Sequence, residues 1–175
     1  ILVIGSGGRE HAIGWKFAED FKQKGQEAEL FFIPGNAGTA QIGTNASVSS
    51  IEEMKDFAKE NQIDLTFVGP EAELSEGIVD IFQKENLNVF GPHKAAAQLE
   101  ASKAFAKDFM DKYGVKTAKY KNFKGPMLAI DYLKTQEYPI VVKASGLAAG
   151  KGVIICQDFE EAKQAALDIM EDKTC

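Results

Sequence analysis

The first 92 residues of the chain alternate between short apolar runs and longer segments with helical periodicity. Strands that alternate with helices form right-handed crossovers, and these build a parallel sheet that is covered on both faces. The order therefore predicts an α/β fold whose N-terminal part is a parallel sheet domain. The predicted strands are the β-branched and aromatic runs at 1–4, 29–33, 64–68 and 87–90.

Three helices are predicted between these strands from apolar residues at helical spacing. A Ser-x-x-Glu capping box at Ser49 and Glu52 precedes the second of them and favours a helix start there. The predicted helices run from about Glu10 to Lys24, from about Ile51 to Asn61 and from about Ser75 to Glu85.

A different pattern begins near Ser102, which can cap a helix that ends at about Tyr113. The spacing of Phe105, Phe109 and Met110 predicts a buried stripe on this helix. The change of pattern places a domain boundary between residues 93 and 113. Downstream, the sequence predicts a strand near 118–121, a helix near 126–135, an apolar run at 138–144, a strand at 153–156 and a final helix at 159–171.

Composition and charge argue against several classes of protein. Apolar residues make up 45% of the chain, which is enough for a packed core. The net charge of −6 argues against a nucleic-acid-binding surface, and no apolar run reaches the length of a membrane span. The two cysteines lack the spacing of a disulfide framework, and a chain with only two histidines offers little for a zinc site. We therefore expect a protein of the reducing cytoplasm.

Each predicted strand of the N-terminal part runs directly into glycine or into a proline–glycine pair. Taken singly, each of these loops is typical of an ordinary tight turn. Ligands of parallel sheets bind beyond the carboxyl ends of the strands, and four such loops in succession favour a binding edge. The loops are GSGGREH at 5–11, PGNAGT at 34–39, GPEAE at 69–73 and GPHK at 91–94.

The first loop resembles a dinucleotide-binding fingerprint but does not match it. That fingerprint needs glycine where Glu10 stands, and the acidic residue expected after the second strand is missing. What remains is a glycine-rich turn, with Gly7 and Gly8, that leads into a helix start beside Arg9. Backbone amides and the helix dipole favour an anion there, so the turn predicts a phosphate or carboxylate site. The alternative is a purely structural turn.

Three further side chains near these loops are candidates for chemistry. His11 lacks an evident partner in the sequence, which favours a capping or packing role over a catalytic base. Glu71 and Glu73 can hold an amine or a hydroxyl group of a ligand, or they can simply complement a helix dipole.

Residues 141–155 read VVKASGLAAGKGVII, two apolar runs that enclose a loop of small residues and lysine. The spacing does not match the P-loop motif, which also requires a following helix rather than a strand. The pattern predicts a hairpin whose tip can lie over a ligand and offer amides to phosphate oxygens. Lys143 ends a run expected to be buried on at least one face, so it should reach an anion, whereas Lys151 lies on the tip. The alternative is a surface hairpin with two solvated lysines.

Six motifs occur in order along the chain: GGREHA, PGNAGTA, VGPEAEL, FGP, QLEASKAF and KASGLAAGKGV. Together they resemble the glycinamide ribonucleotide synthetase (phosphoribosylamine–glycine ligase) family of the ATP-grasp superfamily. The resemblance runs from Gly5 to at least Ile155. The chain departs from the family pattern at Glu73, where proline is common, at Ala101, where glycine is common, and at Ser145, where aspartate is frequent.

The resemblance implies an ATP-dependent ligase of purine biosynthesis. ATP, glycine and 5-phosphoribosylamine would give glycinamide ribonucleotide, ADP and phosphate through a glycyl phosphate. It implies Mg²⁺ or Mn²⁺ as well, held by residues downstream of this segment, so no metal ligand is expected in this chain. Its partners would be these small molecules, with no nucleic acid and no membrane. We therefore expect the chain to be a piece of a longer protein.

The same resemblance implies a domain organisation and a set of binding residues. Residues 1–100 would form an N-terminal Rossmann-like parallel sheet domain, 101–113 a linker helix, and 114–175 part of the small α+β subdomain of an ATP-grasp fold. The residues implied for ATP are Lys103, Lys143, Gly146, Leu147, Ala148, Ala149, Gly150, Lys151 and Gly152. Those implied for phosphoribosylamine are Gly7, Gly8, Arg9, Glu10, Gly35, Asn36, Gly38, Thr39, Gly69, Pro70 and Glu71.

Two other functions remain open from the sequence. One is a different ATP-grasp carboxylate–amine ligase or carboxylase with the same layout, which turnover with glycine and phosphoribosylamine would separate. The other is a non-catalytic module that binds a nucleotide or another anion, which glycine-dependent phosphate release would exclude.

Overall fold

The computed structural model describes residues 1–146 and 152–171, which fall into two compact units. The first unit is residues 1–97, and the second begins at residue 98. None of the helices in the described ranges combines the length and the apolar character needed to cross a membrane.

The first unit contains a five-stranded parallel sheet with the strand order β3-β2-β1-β4-β5. This arrangement confirms the predicted α/β fold with a parallel sheet. Its strands are β1 (Leu2–Gly5), β2 (Phe31–Pro34), β3 (Thr44–Asn45), β4 (Thr66–Val68) and β5 (Val89–Phe90). Its helices are α1 (Gly8–Gln23), α2 (Ile51–Glu60), α3 (Glu71–Glu76) and α4 (Ile78–Lys84), and α5 (Lys94–Ala101) follows them.

The central strand β1 is buried on both faces, which explains its uninterrupted apolar sequence. Leu2 and Ile4 pack into a core that includes residues of α2 and α4. Val3 points to the opposite face and packs with Phe32 against residues of α1. The helices therefore cover both faces of the sheet and leave the ends of its strands free for loops.

The predicted helix from Ser75 to Glu85 is wrong, because the structure has two helices there, α3 and α4. They are separated by Gly77, which adopts a left-handed conformation with φ of +101°. Residues with a side chain rarely adopt this conformation, and glycine is the usual way to end a helix with it.

The capping box of α2 lies one residue later than predicted. Ser50 accepts a hydrogen bond from Glu53 N, and the Glu53 carboxylate accepts from the backbone of Ser50 and also of Ser49. The sequence contains two overlapping Ser-x-x-Glu matches, and the pattern alone did not distinguish them.

The described part of the second unit includes the helices α6 (Lys103–Lys112), α7 (Pro126–Leu133) and α8 (Phe159–Glu171) and the antiparallel strands β6 (Ile140–Lys143) and β7 (Val153–Cys156). The pairing of β6 with β7 confirms the predicted hairpin strands. Ala129 and Leu133 of α7 pack against Cys156 and the small residues of α8. The hairpin tip at 147–151 lies outside the described residues.

Two predictions for the second unit are wrong. No strand forms at 118–121; this segment is held to α6 by side chains, with Tyr120 donating to Asp108 at 2.9 Å. Desolvation and the neighbouring Asp108 raise the pKa of Tyr120 to about 12, so its hydroxyl remains a donor at neutral pH. The prediction of a buried stripe on α6 is also wrong, because the side chains of Phe105 and Phe109 are 39% and 37% exposed.

Asp80 of α4 holds the start of α5, and this contact predicts a pH-dependent stability. Its carboxylate accepts a hydrogen bond from Lys94 N at 2.7 Å and lies 3.3 Å from His93 Nδ1. Both contacts hold the pKa of Asp80 below its ordinary value of 3.8, the Lys94 bond more strongly. A lowered folded-state pKa stabilises the fold above pH 3.8, and this stability is lost as the pH falls through the lowered pKa.

We therefore expect Asp80→Asn to lower the melting temperature at neutral pH, with a difference from the wild type that disappears in acid below pH 3.8. Thermal unfolding followed by circular dichroism across this pH range measures it. Asp20→Asn, which removes an exposed carboxylate paired with Lys16 on α1, is the control and should have little effect. A difference that persists unchanged in acid would contradict the assigned role of the carboxylate.

Candidate functional site

Three loops meet at the carboxyl end of the parallel sheet, and we call them together the rim: residues 5–8, 35–39 and 69–71. Gly35 N donates to Gly5 O at 3.2 Å, and Asn36 Nδ2 donates to Ser6 O at 2.8 Å. The 69–71 loop joins them from β4, where Gly69 N donates to Ile4 O at 3.1 Å. The rim thus forms because neighbouring parallel strands end at the same edge.

The 35–39 loop is organised by its own polar side chains. Asn36 Oδ1 accepts hydrogen bonds from the backbone of Gly38 at 2.7 Å and Thr39 at 3.0 Å. The buried Thr39 hydroxyl accepts from Asn36 N at 2.7 Å. These amides are therefore committed within the loop, which fixes its shape before any ligand arrives.

Asn45 of β3 supports this loop and was missed by the sequence-based reasoning. Its Nδ2 donates to Asn36 O at 2.8 Å, and its Oδ1 lies 2.7 Å from the Thr39 hydroxyl. Gly35, with φ of +71°, packs so close that a Cβ there would lie 2.3 Å from Asn45 Oδ1. The local sequence gives no signal for Asn45, because its partners lie several residues away and its role depends on the tertiary fold.

The ring of His11 packs against Gly38. A Cβ at Gly38 would lie 2.5 Å from His11 Cε1, so the glycine is what allows this close approach. This contact supports the packing role suggested for His11.

Glu10 is buried against the 5–8 and 69–71 loops of the rim, with only 4% of its surface exposed. Its Oε2 accepts a hydrogen bond from Gly7 N at 2.7 Å, and its Oε1 is buried with no hydrogen-bond partner among the described residues. Gly5 and Gly69 lie against it, and a Cβ at either would come within 2.4 Å of a Glu10 side-chain atom. An internal carboxylate thus lies at the helix start where the sequence predicted an external anion.

Arg9 lies between two carboxylates at this edge. Its Nε is 3.8 Å from Glu10 Oε1 and its Nη2 is 3.5 Å from Glu71 Oε2, while its side chain is 73% exposed. Glu73 adds a further carboxylate, one oxygen of which is buried without a partner in the described part of the chain. The local charge of the rim is therefore negative despite the arginine.

In the second unit, Lys103 meets the loop that follows β6. Its backbone N donates to Ser145 O at 2.8 Å, and its Nζ donates to Gly146 O at 3.0 Å. The Ser145 hydroxyl accepts from Ala104 N at 3.1 Å and lies 3.3 Å from the hydroxyl of Ser102. Ser145, noticed in the sequence only as a departure from a family pattern, thus ties the start of α6 to this loop.

The predicted burial of one face of this run is seen at Ile140 and Val142, which pack against the core of the second unit, whereas Lys143 lies on the other face and is exposed. Alternation along β6 places Lys143 on the same face as Val141, and their cross-strand partners are Val153 and Ile155. These three apolar side chains are 46%, 44% and 64% exposed. The hairpin thus presents an apolar face with one ammonium group at its edge, which suits a flat apolar ring that carries an anionic group.

The other residues predicted to bind ATP are Gly152, which the structure describes, and residues 147–151, which it does not. Gly152 is buried, and its carbonyl accepts a hydrogen bond from Ala144 N at 2.8 Å beside the paired strands. Five residues predicted to contact ATP lie outside the described residues: Leu147, Ala148, Ala149, Gly150 and Lys151.

Within the described residues, no group of three or more histidine, cysteine, aspartate or glutamate side chains is placed to hold a metal ion.

Comparison with sequence families gives two adjacent matches that together span the chain. Residues 1–100 match the family described as phosphoribosylglycinamide synthetase, N domain. Residues 101–175 match the family described as phosphoribosylglycinamide synthetase, ATP-grasp (A) domain.

Curated relatives from several bacteria are about half identical to this chain. The phosphoribosylamine–glycine ligase of Clostridium acetobutylicum is 52% identical over 166 residues, which cover 94% of this chain and 39% of that protein. The enzyme of the same name from Fusobacterium nucleatum is 50% identical over 175 residues, which cover 99% of this chain and 40% of that protein. The chain therefore spans about 40% of the length of the curated relatives it matches.

Solved structures give a consistent result. The phosphoribosylamine–glycine ligase of Thermotoga maritima superposes with a TM-score of 0.78 and 38% identity, covering 99% of this chain and 40% of that one. The N5-carboxyaminoimidazole ribonucleotide synthetase of Thermus thermophilus superposes with a TM-score of 0.69 at 21% identity, covering 98% of this chain and 44% of that one. The second likeness shows a shared fold alone.

Proposed function

The chain belongs to the phosphoribosylglycinamide synthetase family, and we propose that the protein containing it joins glycine to 5-phosphoribosylamine with ATP. The products would be glycinamide ribonucleotide, ADP and phosphate. The observation that carries this proposal is the match to two adjacent domains of one family across all 175 residues. The identity of about 50% to curated ligases supports it.

The proposed reaction has two steps. A carboxylate oxygen of glycine attacks the γ-phosphorus of ATP, which forms glycyl phosphate and releases ADP. The amine nitrogen of phosphoribosylamine then attacks the acyl carbon, which forms the amide and releases phosphate and a proton. Both steps depend on positioning the reactants and neutralising phosphate charge, rather than on a covalent enzyme intermediate.

The second unit would bind ATP. We propose that Lys103 and Lys143 neutralise its phosphates and that the apolar face beside Lys143 packs against the adenine ring. The contacts that support this are the bond from Lys103 Nζ to the loop at Gly146 and the exposed side chains on the β6–β7 face. Residues 146–152 are proposed to contribute further contacts to ATP. The Mg²⁺ or Mn²⁺ of the family fits no cluster of described residues, so no step is assigned to metal here.

The rim of the first unit would bind phosphoribosylamine. Its loops are fixed by Asn36, Thr39 and Asn45, and such pre-formed sites suit small ligands. The proposed contacts come from Gly7, Gly8, Arg9, Glu10, Gly35, Asn36, Gly38, Thr39, Gly69, Pro70 and Glu71.

The proposed domain organisation agrees with these two binding roles. It consists of an N-terminal domain at 1–100, a linker helix at 101–113 and part of the small ATP-grasp subdomain at 114–175. The compact unit at residues 1–97 and the family match at 1–100 support the first of these boundaries. A cytoplasmic location is part of the proposal.

Coupled measurement of ADP formation in the full-length protein tests this function. We expect ADP release that requires both glycine and phosphoribosylamine, with glycinamide ribonucleotide as the product by mass spectrometry. Replacement of glycine by other amino acids and by bicarbonate is the control for a different ligase or a carboxylase. ATP binding without glycine-dependent turnover would instead indicate a non-catalytic nucleotide-binding module and contradict the proposal.

A further inference from the structure

We propose that Glu10 determines which part of the sugar phosphate the rim accepts. Its Oε1 would accept a hydrogen bond from an amino or hydroxyl group of phosphoribosylamine, and its carboxylate would keep the substrate's phosphate away from the start of α1. This inference rests on the proposed function, to which it adds the chemistry of one subsite.

Comparison with Glu53 shows that helix capping alone does not explain Glu10. Both residues stand at the third position of a helix and accept a hydrogen bond from the backbone of the capping residue. Glu53 performs this role while exposed, whereas Glu10 is buried and keeps Oε1 without a partner in the described residues. Burying a carboxylate oxygen without a donor is costly, so a donor from outside the described residues is indicated.

The Glu10 carboxylate lies against the backbone of three glycines near the carboxyl ends of two strands. A Cβ added at Gly5, Gly7 or Gly69 would lie 2.4, 2.7 and 2.4 Å from the nearest atom of Glu10. The glycines therefore leave room for this side chain at the carboxyl ends of β1 and β4, where ligands of parallel sheets bind. The Arg9 side chain lies beside Oε1, is 73% exposed and makes no contact with Oε1 shorter than 3.8 Å, so it can move aside for a donor.

The charges at the rim favour a donor over a phosphate. The single positive charge of Arg9 faces the carboxylates of both Glu10 and Glu71. Gly7 N, the first amide at the helix start, is already bonded to Glu10. A phosphate would therefore meet an excess of negative charge, whereas an amino or hydroxyl group would gain an acceptor. The sequence-based expectation of an external anion at this turn is thereby replaced.

Steady-state kinetics of Glu10→Gln in the full-length protein tests the proposal, because glutamine keeps the shape but removes the charge. We expect the KM for phosphoribosylamine to rise by about tenfold or more, the scale expected for losing a hydrogen bond to a charged group. The KM values for ATP and glycine should not change. Inorganic phosphate should become a stronger competitive inhibitor against phosphoribosylamine, because the repelling charge is gone.

Glu53→Gln is the matched control, since it removes the charge of the other capping glutamate. It should affect the melting temperature without changing the KM for phosphoribosylamine. Calorimetric titration with ribose 5-phosphate, which has the hydroxyl groups but no amine, identifies the donor. Weaker binding to Glu10→Gln assigns a hydroxyl, and unchanged binding together with a raised KM for phosphoribosylamine assigns the amine.

An unchanged KM for phosphoribosylamine, or weaker inhibition by inorganic phosphate, in folded Glu10→Gln would overturn the proposal. If this variant does not fold, amide NMR of the wild type gives the answer. Ribose 5-phosphate should shift the signals of Gly7 and Gly69, and inorganic phosphate should leave those of Gly8 and Arg9 unmoved; the reverse pattern would overturn it. A wild type that shows this binding pattern without turnover would contradict the proposed function alone.

Discussion

Replacing Lys143 by alanine is expected to weaken ATP binding by roughly 1.5–3 kcal/mol, the scale of a hydrogen bond to a charged group. Pairing with Val153 fixes the backbone of Lys143 at the end of β6, on the same face of the strand pair as the exposed side chains of Val141 and Ile155. A strand position places a charge more reliably than a loop tip does. Calorimetric titration of the full-length protein with ATP measures the loss, and circular dichroism confirms folding.

Two further lysine variants serve as comparisons for the ATP affinity of Lys143→Ala. Lys163→Ala removes an exposed lysine that pairs with Glu160 on α8, and its affinity for ATP should equal that of the wild type. Lys151→Ala is expected to weaken ATP binding less than Lys143→Ala, because the sequence places Lys151 on the hairpin tip. Equal affinities for the wild type and Lys143→Ala would leave residues 141–155 as a surface hairpin without a role in phosphate binding.

The parallel sheet could be predicted because its signal is carried by local composition. A strand such as β1 is buried on both faces, and it therefore appears in the sequence as a continuous apolar run. Features that depend on the backbone conformation of one residue have no such signal in the local composition and could not be predicted. The break at Gly77 is one of them, because glycine is tolerated within a helix and also ends one.

The segment at 118–121 shows a second limit. Its alternation of side chains resembles a strand, but strand pairing depends on a partner that the local sequence does not specify. Lys107 Nζ donates to Thr117 Oγ1 at 2.5 Å and to Ala118 O at 3.2 Å, so side chains of α6 supply bonds in place of a neighbouring strand. The exposure of Lys143 could not be predicted for a related reason, since an apolar run does not reveal which of its faces remains uncovered.

The position of the rim could be predicted, but its internal chemistry could not. Topology alone brings the loops after β1, β2 and β4 to one edge. The role of Glu10 depends on Gly69, which is distant in sequence and adjacent in space. In the sequence, Glu10 was noted as the residue that breaks a dinucleotide-binding fingerprint and, by family resemblance, as one of eleven residues implied for phosphoribosylamine, without a chemical role of its own. The structure shows that the same position holds a buried carboxylate, one oxygen of which accepts no hydrogen bond from the part of the chain that is described.

Gly69→Ala is expected to destabilise the protein and to impair phosphoribosylamine binding, because the new Cβ would clash with the Glu10 side chain. The new Cβ would lie 2.4 Å from Glu10 Oε1 and 2.6 Å from Glu10 Cγ, distances that no pair of such atoms tolerates. Glu10 cannot move away freely, because Gly5 and Gly7 lie against its other side. Overpacking of this kind costs about 1–3 kcal/mol in free energy of unfolding. The displaced carboxylate should also raise the KM for phosphoribosylamine.

Chemical denaturation and steady-state kinetics of the full-length protein measure the two effects, and Gly125→Ala is the matched control. Gly125 caps α7 with an extended backbone, and a Cβ there would meet no atom within 4 Å. Its replacement should therefore cost no more than a lost helix cap, about 1 kcal/mol, and should leave the KM for phosphoribosylamine unchanged. Because φ of Gly69 lies outside the left-handed region, any loss in Gly69→Ala reports contact with Glu10 and not backbone strain. A Gly69→Ala protein with wild-type stability and wild-type KM would mean that the Glu10 carboxylate is free to move, and it could not then fix the position of a substrate group.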